Sequence, residues 1–338
     1  MPFDLRDLAV PVIGAPMAGG PTTPALAAAV SNAGGLGFLA AGYLSAEKFG
    51  ADLAAARALT TGPLGVNLFV PQPSVGAPAE LAVYAEKLAP LAHRLGVEVG
   101  PARFDDDDWD AKLDVVVDTA PEVASFTFGC PDTSTIDRLH AADVATVVTV
   151  TTGVEAGVAV AAGCRALAVQ GPAAGGHRGT FSPSARPATE SLESLLHAVL
   201  DAHEIPVVAA GGLSSAQQVR AILGRGAVAA QVGTALLLAD EAGTRPAHRA
   251  ALGDGRFTET VVTAAFSGRY ARGIRNAFID EFDADAPLGY PEVHYMTSPL
   301  RAAAHKAGDP QTVNLWAGTQ YRLARSGGAA DIVAELAG

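Results

Sequence analysis

Glycines and amide side chains that could hold a phosphorylated cofactor stand directly after short apolar runs of the sequence. Asn67 and Gln170 each end such a run, and Gly211-Gly212 and Gly233-Thr234 follow two others. Glycine turns beside a helix N-terminus expose backbone N–H groups that bind phosphate, and a carboxamide offers a donor and an acceptor to the edge of a flavin ring. Each feature alone is compatible with a tight turn or a structural cap, whereas together they favour bound flavin mononucleotide (FMN).

His177 lies in a glycine-rich loop, residues 175–179, shortly after the run that ends at Gln170. Histidine is the side chain whose ordinary pKa best suits proton transfer near neutral pH. None of the seven other histidines follows a predicted strand among glycines, so His177 is the candidate catalytic residue. Arg178 could contact a phosphate or an acidic partner. Cys130 is interpreted as an unreactive thiol at a strand end rather than as a nucleophile.

The elements that must position these residues are short apolar strands. They are almost continuously apolar, as strands buried on both faces of a parallel sheet are. Helical segments alternate with them, and the first begins at Thr23-Pro24 and ends at Gly34. The count predicts a (β/α)8 barrel, in which chemistry sits at the C-terminal ends of the strands. The predicted strands are Val10–Ala15, Leu36–Ala40, Leu64–Phe69, Val123–Phe128, Ala145–Val150, Ala166–Gln170, Pro206–Ala210 and Val228–Val232.

The alternation of strands and helices stops near residue 240. We therefore expect a barrel domain over residues 1–240 that binds FMN, followed by a mostly helical region over 241–338 that packs over the barrel mouth. The acidic run Asp105–Asp108 is interpreted as a solvated loop, since a magnesium or calcium site needs spaced ligands and turning glycines.

Composition excludes several classes of protein. The 338 residues carry 23 Lys+Arg and 35 Asp+Glu, for a formal net charge of −12, which argues against nucleic acid as a partner. The sequence shows no basic tract for anionic membranes, no apolar span long enough to cross a bilayer and no basic segment of the kind that opens a signal peptide. Two cysteines cannot form a disulfide framework. We expect a cytoplasmic enzyme, either a monomer or a homodimer.

The same residues identify a family. The segments APMAGGPTTPALAAAVSNAGGLGFL, GVNLFVPQP, SFTFGCP, VQGPAAGGHRGTF, HYMTSPLRAAA and NLWAGTQYR resemble those of the nitronate monooxygenases, formerly called 2-nitropropane dioxygenases, and most of all their class I branch. The resemblance covers nearly the full chain and implies a (β/α)8 barrel with a smaller helical domain and noncovalent FMN. One departure is Ala173, which stands where the family often has a glutamate in QGxEAGGHRG.

The resemblance also implies roles for individual residues. It makes His177 the active-site histidine and places Tyr295 and Lys306 in a segment similar to the family's substrate-side lid. The FMN contacts that it implies are Met17, Asn67, Gln170, Gly175, Gly212, Gln231, Gly233 and Thr234.

The implied reaction oxidises an alkyl nitronate with O₂ to a carbonyl compound and nitrite, with propionate 3-nitronate and neutral nitroalkanes as further candidates. The main alternative is an FMN-dependent reductase of quinones or enoyl thioesters that uses NAD(P)H on the same barrel. A flavin-binding module without turnover and a cofactor-free lyase also remain open.

Overall fold

The structure is a computed structural model that describes residues 3–338, so the first two residues of the predicted barrel domain lie outside it. Eight parallel strands close into a barrel in which each strand pairs with the next along the chain and the last pairs with the first. The prediction of a (β/α)8 barrel is confirmed. The barrel strands are β1 (Val12–Gly14), β2 (Leu36–Ala40), β3 (Leu64–Phe69), β4 (Val123–Thr127), β5 (Ala145–Val150), β6 (Ala166–Gln170), β8 (Val207–Ala210) and β9 (Ala229–Val232), and the two-residue strand β7 (Gly176–His177) lies outside the barrel.

Helices follow the strands, and most of those in the barrel begin at a side-chain cap. Thr23, for example, accepts a hydrogen bond from the backbone N–H of Leu26, and Pro24 occupies the first position of the helix, as the sequence predicts. The helices up to the last barrel strand are α1 (Pro24–Asn32), α2 (Ala46–Arg57), α3 (Pro78–Arg94), α4 (Trp109–Thr119), α5 (Thr133–Ala141), α6 (Gly153–Ala161), α7 (Leu192–Ala202) and α8 (Ala216–Leu223).

Apolar side chains fill one end of the barrel interior. Leu5, Ile13, Phe38 and Val147 belong to this cluster, whose members come mostly from the first residues of the strands. Gly65 leaves room for the Phe38 ring, since a Cβ at residue 65 would lie 2.6 Å from a ring carbon. The opposite, C-terminal end of the barrel is therefore the end that is available for a ligand.

The chain after the last barrel strand contains strands as well as helices. Its elements are α9 (Pro246–Gly253), β10 (Thr260–Thr263), β11 (Ala271–Ile274), α10 (Ala277–Phe282), α11 (Glu292–Ala307) and α12 (Ala329–Ala337). The prediction of a mostly helical region did not include these strands, of which β11 pairs antiparallel with both β10 and β7. This three-stranded sheet joins the His177 loop to the C-terminal region.

Helix α12 does not lie over the barrel mouth. It packs against α1 and α8 on the outside of the barrel, and Ile332, Val333 and Leu336 join the large cluster between strands and helices. In contrast, α3 from the β3–β4 connection packs against α11. The domain boundary at residue 240 stays a prediction, and the region over the mouth combines segments from both sides of it. Among the helices of residues 3–338, none is both long and apolar enough to cross a bilayer.

Candidate active site

A cavity of about 490 Å³ opens at the C-terminal ends of the barrel strands. Its walls come from the turns after the strands, from the His177 loop and from α9 and α11. The structure brings together here His177 and all the residues expected to contact FMN: Met17, Asn67, Gln170, Gly175, Gly212, Gln231, Gly233 and Thr234. Their individual roles stay predictions.

The turns after β8 and β9 present backbone donors to this cavity. The N–H groups of Gly211, Gly212 and Leu213, and those of Gly233 and Thr234, have no hydrogen-bond acceptor within residues 3–338. All five residues line the cavity. Gly212 has a φ of +76°, and a Cβ there would lie 2.9 Å from the Cβ of Ala173, so the turn requires glycine. Free N–H groups that converge in this way form an anion site for a group such as a phosphate.

Five carboxamides line the cavity, namely Asn67, Gln170, Gln231, Asn314 and Gln320, and the three expected to contact FMN differ in their hydrogen bonds. Asn67 donates from Nδ2 to the Oγ of Ser125 at 2.9 Å and to the Oγ1 of Thr127 at 3.1 Å, and its Oδ1 has no partner within residues 3–338. Gln231 makes no side-chain hydrogen bond in the same range. Both amides therefore keep polar atoms for a ligand.

Gln170 instead holds the loop that carries His177. Its Nε2 donates to the backbone oxygen of His177 at 3.0 Å, and its Oε1 accepts from the backbone N–H of Gly179 at 2.9 Å. The pairing of β7 with β11 places His177 opposite Ala271. The backbone of the candidate catalytic residue is thus fixed from two sides.

The imidazole of His177 lies among aromatic rings. Its centroid is 5.6 Å from that of Phe128, 5.8 Å from that of Tyr290 and 5.5 Å from that of Trp316. Its Nε2 lies 2.8 Å from the Oγ of Ser267. Burial, together with the positive charges of Arg269 and Arg301, lowers the pKa of His177 from 6.5 to about 3, so this imidazole is neutral at neutral pH.

The other wall of the cavity is cationic. Arg301 on α11 donates to the Oγ1 of Thr297 at 3.1 Å and to the backbone oxygen of His294 at 2.9 Å, and it has no carboxylate partner within residues 3–338. Burial lowers the pKa of Arg301 to about 10, which leaves it charged at neutral pH. Arg245 lies close enough to Arg301 for the two positive charges to interact.

No aspartate or glutamate within residues 3–338 lines this cavity, although the chain as a whole has a net charge of −12. The interior potential is therefore opposite in sign to the net charge of the protein, which suits an anionic ligand. The titratable side chains that line the cavity are Tyr43, His177, Arg245, His248, His294, Arg301 and His305.

The sequence prediction named Tyr295 and Lys306 of α11 but missed the residues of this helix that line the cavity. His294, Ser298, Arg301 and His305 all line the cavity, and they are separated by four, three and four positions. This spacing puts them on one face of a helix. Polar residues at this spacing in the sequence are the pattern from which these cavity residues could have been predicted.

Arg178 has a structural place rather than a place in the cavity. It is buried, and its guanidinium donates to the backbone oxygens of Gly171 and Gln170. The carboxylate that supports this loop comes from Glu155 on α6, which accepts from the backbone N–H groups of Thr151 at 2.6 Å and of Phe181 at 2.8 Å. An acid is therefore present beside the loop even though Ala173 replaces the family's glutamate.

The two candidate substrate residues lie elsewhere. Tyr295 lines a small neighbouring pocket, where the guanidinium carbon of Arg103 lies 3.8 Å from the centre of its ring. Lys306 is exposed and does not line the cavity. The structure places Tyr43 and His294 at the cavity instead, with their rings stacked at 4.1 Å.

Comparisons with known proteins indicate the family of the chain. A nitroalkane oxidase from Streptomyces ansochromogenes has 47% sequence identity and a TM-score of 0.94, over 98% of this chain and 96% of that one. A probable nitronate monooxygenase from Staphylococcus aureus is 36% identical over 331 residues, which cover 96% of this chain and 93% of the relative. FabK from Thermotoga maritima, with 23% identity and a TM-score of 0.76 over 98% of this chain and 93% of that one, shares the fold alone.

The family model described as nitronate monooxygenase matches residues 4–338, nearly the whole chain. The match spans the barrel strands, the His177 loop and the helices that complete the cavity. The protein is therefore an oxidoreductase and belongs to the nitronate monooxygenase family.

Proposed function

We propose that this enzyme uses FMN and O₂ to oxidise alkyl nitronates to carbonyl compounds and nitrite. We include propionate 3-nitronate and neutral nitroalkanes in its substrate range. The observation that carries the proposal is the composition of one cavity, in which His177, a cationic wall without carboxylates and a set of free backbone N–H groups converge. Membership of the nitronate monooxygenase family supports it.

The chain's own residues fit FMN. The free N–H groups of the turns at residues 211–213 and 233–234 suit the phosphate, and Asn67 and Gln231 offer unpaired amide atoms to the polar edge of the ring. Bound FMN supplies the electron transfer, and the protein supplies binding, orientation and electrostatics.

The cationic wall suits a nitronate, which carries a full negative charge. Arg301 is charged, lines the cavity and, among residues 3–338, has neutral hydrogen-bond partners alone. A positive group that is fixed in place before the substrate arrives stabilises negative charge without reorganisation. Arg245 is exposed and also lines the cavity, where it can pair with a second anionic group of the substrate, such as the carboxylate of propionate 3-nitronate.

His177 serves the neutral nitroalkanes. Because its pKa is low, the imidazole is unprotonated at neutral pH and has a lone pair that faces the proton on the carbon beside the nitro group. The same low pKa makes it a weak base until a negative charge forms beside it. The nitronate that forms stabilises the resulting imidazolium as an opposite charge in contact. A nitronate supplied directly does not need this step.

The test is an anaerobic absorbance titration of the FMN-loaded protein. We expect ethyl nitronate to bleach the flavin absorbance, nitrite to appear when O₂ is admitted, and NADH or NADPH to leave the flavin oxidised. Bleaching by NAD(P)H with nitronate inert would assign the protein to the reductases of quinones or enoyl thioesters. A flavin that neither reagent bleaches would make the protein a binding module, and a protein that does not bind FMN would overturn the cofactor assignment.

A further inference from the structure

Ser267 lies between the imidazole of His177 and a buried backbone carbonyl. Its hydroxyl lies 2.8 Å from Nε2 of His177 and 3.2 Å from the backbone oxygen of Arg269. A hydroxyl has one hydrogen to donate and can accept as well. Nε2 of His177 and the backbone oxygen of Arg269 can therefore not both accept from this hydroxyl. Both hydrogen bonds form in one way alone, with Ser267 donating to one group and accepting from the other.

The backbone oxygen of Arg269 needs that proton. Arg269 is 1% exposed, and within residues 3–338 its carbonyl has no donor other than Ser267. A buried carbonyl without a donor costs about 1–3 kcal/mol. When Ser267 donates to Arg269, its oxygen can only accept from His177, and Nε2 of His177 must carry the hydrogen.

The other ring nitrogen is then the reactive one. Within residues 3–338, Nδ1 of His177 has no hydrogen-bond partner, and it is not among the buried unpartnered atoms. It is therefore open to the cavity that His177 lines. A neutral imidazole with its hydrogen on Nε2 keeps a lone pair on Nδ1.

We propose that Ser267 is a positioning residue that fixes His177 as the Nε2–H tautomer, so that Nδ1 is the base for neutral nitroalkanes. This inference rests on the proposed function. In the step, the C–H bond beside the nitro group breaks and its electron pair moves into the nitro group to give the nitronate. The proton forms a new N–H bond at Nδ1, and no other reactant is needed.

The two classes of substrate differ in whether they depend on the tautomer of His177. A neutral nitroalkane needs the Nδ1 lone pair, whereas a nitronate arrives without the proton and depends on the cationic wall. Loss of Ser267 should therefore affect nitroalkanes far more than nitronates. A residue that only supports the fold would affect both classes equally.

The first measurement is direct and needs no turnover. In the FMN-loaded protein with ¹⁵N-labelled histidine, a two-bond ¹H–¹⁵N spectrum distinguishes protonated from unprotonated ring nitrogens, and the signals lost in His177→Asn assign the residue. We expect hydrogen on Nε2 and none on Nδ1. Hydrogen on Nδ1 would overturn the inference even if nitronates are oxidised. The expected tautomer in a protein that oxidises no nitronate would count against the proposed function and not against the tautomer.

The second measurement uses Ser267→Ala. We expect kcat/KM for nitroethane to fall by about 10- to 100-fold, the usual range for loss of a residue that orients a functional histidine, and the His177 spectrum to show both tautomers. Ethyl nitronate should change no more than in the control Thr263→Val, which removes another buried hydroxyl, bonded to Asp283 at 2.6 Å. An equal loss for both substrates would show a structural role and contradict the assignment.

Discussion

Gln170 holds the His177 loop through two hydrogen bonds, and Gln170→Met would remove both while keeping the length of the side chain. The backbone oxygen of His177 and the N–H of Gly179 would lose their partners at 3.0 and 2.9 Å. A buried backbone group without a partner costs about 1–3 kcal/mol, so two of them cost roughly 2 kcal/mol or more. We expect this cost to appear as local opening of the loop, since β7 remains paired with β11.

Hydrogen exchange measures this opening at the affected residue. Because about 1.4 kcal/mol corresponds to a factor of ten, a loss of roughly 2 kcal/mol predicts about 30-fold faster exchange at the Gly179 amide. Turnover should fall with it, because the loop carries His177. FMN affinity should change little if the side chain of Gln170 acts mainly on the loop.

Gln231→Met is the matched control. Gln231 lines the same cavity and makes no side-chain hydrogen bond within residues 3–338, so this variant should weaken FMN binding and leave exchange at Gly179 unchanged. A Gln170→Met variant with lower FMN affinity and wild-type protection at Gly179 would refute the role of Gln170 in holding the His177 loop. Gln170 would then act on the cofactor, as the family resemblance implies, and its contacts to the loop would contribute little.

Three further predictions follow from the site. His177→Asn should retain FMN, and its turnover of nitroethane should fall by about 10²–10³-fold. His197→Asn, on the exposed face of α7, is the control. Wild-type turnover in His177→Asn would contradict the role of His177. Gly212→Ala should raise the Kd for FMN, because the residue has a φ of +76° and its Cβ would lie 2.9 Å from Ala173; an unchanged Kd would exclude the turn as the phosphate site. Burial lowers the pKa of His248 from 6.5 to about 4, so the unfolded chain binds a proton that the native state does not, and the contribution of His248 to stability should fall by about 2 kcal/mol between pH 7.5 and pH 5. Urea unfolding of His248→Gln should show a pH dependence that is flatter by this amount, and one as steep as that of the wild type would assign the loss to other groups.

The barrel could be predicted from the sequence because its strands are buried on both faces. Segments such as Leu64–Phe69 and Ala145–Val150 are almost continuously apolar and agree with the strands of the structure residue for residue. The polar residues at or shortly after the ends of these strands, including Asn67, Gln170 and His177, could then be predicted as site residues. A pattern that depends on burial is visible in one sequence because burial constrains residue type.

The sheet that carries His177 could not be predicted in the same way. β10 and β11 have four residues each, and β7 has two. Their pairing joins residues that are about 90 positions apart, such as His177 and Ala271. Local patterns of hydrophobicity do not report such long-range pairing, so this part of the chain was interpreted as helix and loop.

The proton position on His177 also required the structure. Ser267 is 90 positions away from His177, and nothing in its sequence neighbourhood distinguishes it from other serines. The proposed tautomer depends on the two distances from the hydroxyl of Ser267 and on the burial of Arg269. The sequence could indicate that His177 is functional, whereas only geometry indicates which of its nitrogens is free.

The position of α12 has a consequence for synthesis of the protein on the ribosome. This helix packs between α1 and α8, yet it is translated after every other element of the barrel. Until Ile332, Val333 and Leu336 emerge, the nascent chain exposes the apolar surface of α1 and α8 that they will cover. We expect chaperones that bind exposed apolar segments to hold the chain at this stage, and release to coincide with docking of α12.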